Sequence, residues 1–200
     1  MRPRKGPVPV KVNNKLVSAL CGASVVFLAL SGCSSDDTGK KRDEWAKGVC
    51  DQAAGQIKKI DDANTAISKV DSGGSPSAVK SADSSAFQSI SDAYKSLAGI
   101  FSSAGAAPGG DEGQKFQQNA VSVFNNLSTQ YAGLKKQVDA LSTSDQAKFA
   151  DGLKGVSDSL NKTTADAQTS LNTLREGDTG KALAKQPGCQ RVSGASPTAS

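Results

Sequence analysis

The chain has no histidine in 200 residues. That absence excludes Ser-His-Asp and Cys-His nucleophile systems, which need an imidazole base, and with them every imidazole metal site. The one methionine is the initiator, so neither a methionine-rich stripe nor a Glu-x-x-His pair exists to build a metal centre inside a helical bundle. Spaced acidic calcium loops and a GxSxG turn are also missing. Paired carboxylates remain, at Asp61-Asp62 and Asp111-Glu112, but their places near helix ends and on polar faces read as caps and solvated charges. The two sequons, at Asn126 and Asn161, fall within predicted helices and read as chance matches. No enzyme activity, metal or cofactor is expected. Aromatic residues make up only 4% of the chain, and no run alternates with the period of two that a half-buried strand requires.

The front of the chain is more informative. Arg2, Arg4, Lys5, Lys11 and Lys15 form a basic region ahead of a largely apolar stretch from Leu16 to Leu30, the layout of an export signal. The stretch approaches the roughly 17-residue minimum for a membrane span, but Ser18, Cys21, Gly22 and Ser24 weaken it as one. Leu30-Ser31-Gly32-Cys33 closes it in the pattern of a lipobox. Small residues at Ser31 and Gly32 suit an extended backbone in a peptidase cleft, and the Cys33 thiol would accept a diacylglyceryl group before cleavage. Residues 1–32 are expected to be a lipoprotein signal peptide. The mature protein then starts at Cys33 on the extracytoplasmic face of the cell membrane, held there by lipid.

Processing would remove five basic residues and no acidic ones, leaving 19 Lys+Arg against 19 Asp+Glu from the 24 and 19 of the full chain. A neutral mature domain gives no support to nucleic-acid binding. Of the four cysteines, Cys21 leaves with the signal and Cys33 carries lipid. Cys50 and Cys189 remain in an oxidising compartment, where a disulfide is the natural pairing. Two free thiols, or a two-thiolate metal site without its usual companion ligands, are the alternatives.

Four apolar stripes at helical spacing fill the middle of the chain. The first runs through Trp45, Val49, Ala53, Ile57, Ile60, Asn64, Ile67 and Val70, and the second from Val79 to Ile100. The third runs from Phe116 to Leu141, and the fourth through Phe149, Leu153, Val156, Leu160, Thr164, Ala167, Leu171 and Leu174. Ser75-Pro76 has the N-cap and first-turn proline of a helix start. Asp111 with Gln114, and Thr143 with Gln146, have capping-box spacing. Gly105 to Gly110 reads as a loop, and Gly177 as the end of the fourth helix, with a short extra turn over Thr179 to Lys185. The expected fold is all-α, an up-down-up-down four-helix bundle over residues 43–189 closed by one disulfide. Residues 33–42 would form a lipidated flexible tether, and 190–200 a disordered tail.

Many seam positions are alanine, and Gly48, Gly55, Gly99, Gly133, Gly152 and Gly155 lie inside helices. Either the glycines are exposed and weaken their helices by about 1 kcal/mol each, or they let neighbours approach closely. Lys58-Lys59 and Lys135-Lys136 would meet anionic headgroups or simply be solvated. Trp45 is the candidate binding aromatic, where a ligand or partner would stack; the competing reading is a ring that covers the bundle end.

The LSGC lipobox, the WAKGVCD segment, the alanine-rich helices and the closing KQPGCQ together resemble the small secreted lipoproteins of actinobacteria, especially streptomycetes. The resemblance implies the compartment and helical architecture, and no molecular activity. Two functions are compatible with these features. One is a non-enzymatic envelope module that binds a protein partner, which the sequence favours; the other is a protein that binds or senses a hydrophobic or amphipathic small molecule between its helices. A filled core would favour the first, and a large apolar pocket the second.

Overall fold

In a computed structural model, residues 34–71 and 73–193 are described. The signal segment 1–32, the lipobox Leu30, Ser31, Gly32 and Cys33, and residues 194–200 lie outside the described residues. Contacts divide the chain into Met1–Thr38 and Gly39–Ser200. In the first unit the described residues are the opening of α1; the second carries the bundle.

The described residues are all helical or loop. The helices are α1 (Ser34–Ser68), α2 (Pro76–Ala104), α3 (Asp111–Ala140), α4 (Gln146–Arg175) and the short α5 (Gly177–Ala184), followed by a 3-10 segment, Pro187–Ser193. Each long helix carries its apolar stripe inward, so the four-helix architecture is the one that the periodicity dictates. The Cys50–Cys189 disulfide is formed, with Cα atoms 5.2 Å apart.

Helix α2 starts as expected, with Ser75 as N-cap accepting from the Ala78 N–H and Pro76 in the first turn. The two capping boxes are not used. Gly110, at φ 65°, is the N-cap of α3 and makes no side-chain cap. A glycine is needed at Gly113 as well, because a Cβ there would overlap the carbonyl oxygen of Ala107, a buried loop residue. For α4 the cap is Asp145, not Thr143, and its carboxylate accepts from the N–H groups of Ala147 and Lys148. Asp145 wins because one carboxylate satisfies two of the helix's orphan donors.

Two boundaries also differ from the sequence reading. Residues 34–42, expected as part of a flexible tether, belong to α1. From Gly39 onward the physical reason is visible: Arg42, its side chain only 14% exposed, donates to the Pro108 carbonyl at 3.1 Å and pairs with Asp178 at 3.1 Å. At the other end, residues 190–193 of the expected disordered tail continue the 3-10 segment.

Helices α2 and α3 form the firmest pair. Ser91 Oγ donates to the Ser128 carbonyl at 2.8 Å, and Lys80 Nζ to the Leu141 carbonyl at 2.8 Å, satisfying an end of α3 that has no basic residue of its own in its last turn. Gln117 does the same for the end of α2, reaching the Phe101 and Ser102 carbonyls. In the half of the bundle near the α1–α2 turn, Phe87, Ile90, Leu134 and Val138 are packed to 2% exposure or less.

The helix-interior glycines divide cleanly. Gly48, Gly55, Gly99, Gly133 and Gly155 face open space, so each gives up roughly 1 kcal/mol of helix propensity relative to alanine without serving close packing. Of the six glycines singled out in the sequence, Gly152 alone meets a neighbour, the Leu141 side chain. Lys58 pairs with Asp62 and Lys135 with Asp139, each at i,i+4 on the exposed surface, where such pairs contribute little.

Candidate functional site

The other half of the bundle holds a groove beside its buried residues. It has a volume of about 360 Å³ and runs between α1 and α4, with α2 and α3 as its floor and α5 at one end. Its lining spans Ala53 to Asn64 on α1 and Thr164 to Arg175 on α4; eleven helical steps make each wall about 16 Å long. Exposed residues at the rim, Gln168, Asn172 and Ala184, belong to α4 and α5, whereas the floor residues Tyr94, Leu97, Phe101, Phe124 and Tyr131 are buried. The groove therefore opens beside α4. Its size lies within the range of roughly 300 to 1,000 Å³ typical of small-molecule sites.

The hollow follows from residue choice. The α1 wall offers Ala53 where a larger side chain would fill the seam, and α4 offers Ala167. Among the α4 residues, Leu160, Leu171 and Leu174 pack against the core but are only partly buried, so this side of the groove keeps apolar surface open. The Cys50–Cys189 bridge fixes the α5 end, where Cys189 and Leu183 join the lining.

Phe101, Phe116, Leu171 and Leu174 make an apolar stretch, bordered on α4 by Gln168, Asn172 and Arg175, while Asp61, Asn64, Tyr94, Tyr131 and Thr164 line the end in the middle of the bundle. The rings of Tyr94 and Tyr131 are 5.7 Å apart, and Tyr94 stacks on Phe124 at 6.2 Å. The Thr164 hydroxyl is buried without a well-formed hydrogen bond, although it is near enough to Tyr131 to ease ionisation of that phenol.

Burial, then Tyr131, then the Asp61 carboxylate hold the Tyr94 hydroxyl protonated far above its usual range, and burial raises Tyr131 in the same direction. An unfolded chain loses these protons near pH 10. Above that pH the unfolded state binds fewer protons than the folded one, so stability is full below about pH 10 and falls as pH rises further. Thermal melts from pH 9 upward should show this decline, and Tyr94→Phe should reduce it; an equally steep decline in the variant would contradict the assignment.

Trp45 is partly buried. Its indole N–H donates to the Ala104 carbonyl at 3.2 Å, and its ring meets Phe101 and Phe116 edge-on, at 6.1 and 6.2 Å. It backs the groove's aromatic wall and covers that end of the bundle. Asp61 is the residue that sequence reasoning missed. Grouped with Asp62 as a solvated charge, it instead lines the groove while Asp62 pairs with Lys58 on the surface. The signal was present in the spacing: Ile57, Asp61 and Asn64 follow helical steps of four and three, and Asn64 and Thr164 were polar residues on otherwise apolar seams.

Among the described residues no group of three or more histidine, cysteine or acidic side chains is placed to hold a metal ion, and no helix is long and apolar enough to cross a membrane. The fold and groove define the chain as a disulfide-closed all-α bundle with an interhelical pocket. Comparison with protein-family models, with curated proteins and with solved structures finds no match for it.

Proposed function

We propose that the mature protein is a lipid-anchored extracytoplasmic binding protein that takes an amphipathic small molecule into the groove between α1 and α4. The observation that carries this reading is the groove itself, with its buried aromatic floor, apolar stretch and polar end. Of the two functions compatible with the sequence, the hollow favours the small-ligand one over an envelope protein partner. Binding without catalysis is supported by the lack of histidine and by the engagement of Cys189, the thiol at the groove, in the disulfide.

The reading is tested by filling the groove. Ala167→Phe places a ring into existing volume, so its stability should stay within about 1 kcal/mol of wild type, whereas overpacking a filled core costs about 1 to 3 kcal/mol. A panel of single-chain amphiphiles, kept below micelle formation, should contain members that raise the wild-type Tm by about 5 to 10 °C near 100 Kd. The variant should lose that shift. Equal shifts in both proteins would contradict the site.

Anchoring has its own test. Mass spectrometry of membrane-extracted protein should find an N-terminal acylated Cys33 with residues 1–32 removed. A Cys33→Ser chain that remains membrane-bound through an intact N-terminus would overturn this half of the proposal.

A further inference from the structure

Resting on the ligand-binding reading above, we infer that Leu183 is the chain-length stop of the groove: the ligand is an amphiphile with one unbranched alkyl chain, its polar head at the mid-bundle end and its tail running towards α5 to finish against Leu183.

The α5 end of the groove is built as a fixed wall. Gly180, Leu183 and Ala184 of α5 line it together with Cys189. Leu183 is 9% exposed and belongs to the core cluster, and its carbonyl oxygen lies 3.8 Å from the Cys50 sulfur. The segment has little slack on either side. A Cβ at Gly180 would overlap the backbone of Leu174 and Arg175 at the end of α4, and one at Gly188 would overlap the Cys50 carbonyl on α1. The Cys50–Cys189 bond ties the same segment to α1 covalently. Leu183 is therefore held from both walls of the groove, as a stop and not as a lid.

Shape and polarity give the ligand its class and its direction. A cavity of about 360 Å³ has room for roughly a dozen water-sized groups, and walls of about 16 Å string them along one axis. Those are the proportions of a single alkyl chain; a two-chained lipid is too large. Beside the α5 wall stand Phe101, Phe116 and Leu174, which offer a tail apolar contact. At the opposite end Asn64, Tyr94, Tyr131 and Thr164 carry groups that donate and accept hydrogen bonds, so the head belongs there. Each methylene moved out of water along the apolar stretch tightens binding by about fourfold. That gain lasts only while there is room, because a further methylene pressed against a closely seated side chain strains it. A fixed wall thus turns chain length into a break in affinity.

The test uses the mature chain bearing Cys33→Ser, complete from residue 33 to 200 and free of lipid, in equilibrium dialysis against n-alkanols of about six to fourteen carbons. With Leu183 intact, affinity should rise about fourfold per added carbon up to roughly ten to twelve carbons, the length of the walls, and then level off or fall. Leu183→Ala should move this break to chains about two carbons longer, and Leu183→Phe to chains about two carbons shorter. A loss of packing alone would weaken every length alike and leave the break in place. If affinity climbs without a break through fourteen carbons, or the break stays put in both variants, while Ala167→Phe abolishes binding, Leu183 is not the stop and the groove remains a ligand site. If no alcohol binds, or Ala167→Phe changes nothing, the ligand-binding reading itself fails. Leu183→Phe decides the question even if Leu183→Ala does not fold, and the series on the chain with Leu183 intact can overturn the inference without either variant.

Discussion

Replacing both Cys50 and Cys189 with alanine is expected to lower the stability of the mature protein by about 2 to 5 kcal/mol and its Tm by about 10 °C. The bridge closes a loop with a sequence separation of 139 residues, for which the chain-entropy account gives about 5 kcal/mol. Cys50 is fully buried on α1, and a Cβ at Gly188 would press on its carbonyl, so the terminal segment is seated closely against α1. Without the bond, packing and the Arg42 contacts to Pro108 and Asp178 would still help to hold the α5 end of the groove. Helical content at low temperature should be retained, since α2 and α3 hold each other through the Ser91, Lys80 and Gln117 hydrogen bonds. Urea melts of oxidised wild type and the double variant check this. An unchanged midpoint would mean that the bridge does not constrain the unfolded chain as described.

Phe87→Ala is expected to cost about 3 to 5 kcal/mol, the usual range for a buried phenylalanine truncated in a close-packed core. Phe87 is 2% exposed, with its ring 6.2 Å from that of Tyr131, in the half of the bundle where Ile90 and Val138 are also fully buried. Phe116→Ala should cost about half as much or less. Phe116 is only partly buried and already borders the groove, so its removal enlarges an existing hollow instead of creating a new one. Denaturant melts of the two variants compare the halves directly, and equal losses would show that they are packed alike.

The helical architecture was legible because the apolar stripes repeat at three and four residues over each long helix, and because Ser75-Pro76 is a start signal with one physical meaning. Capping was less legible. Thr143 and Asp145 both precede α4 with suitable chemistry, and only the path of the chain decides which oxygen reaches the free N–H groups. The helical conformation of residues 39–42 could not be read from composition, since the partners that hold Arg42, Pro108 and Asp178, are 66 and 136 residues away in sequence. The groove was hidden for a similar reason. Alanine at positions 53 and 167 says that the seam is thin there, but whether helices close over small residues or stand apart depends on packing along their whole length. Asn64 and Thr164, polar residues on apolar seams, were the local sign of it, and Asp61 one turn from Ile57 completed the pattern.

The most direct measurement is mass spectrometry of small molecules released from mature protein extracted from the membrane of the cell that makes it, with the Ala167→Phe protein treated identically. Compounds common to both, including bulk lipid and detergent, are set aside. The account predicts an amphipathic compound in near-stoichiometric amount with the wild type and its loss from the variant. The same compounds in the same amounts from both proteins would contradict the claim that the groove is a binding site.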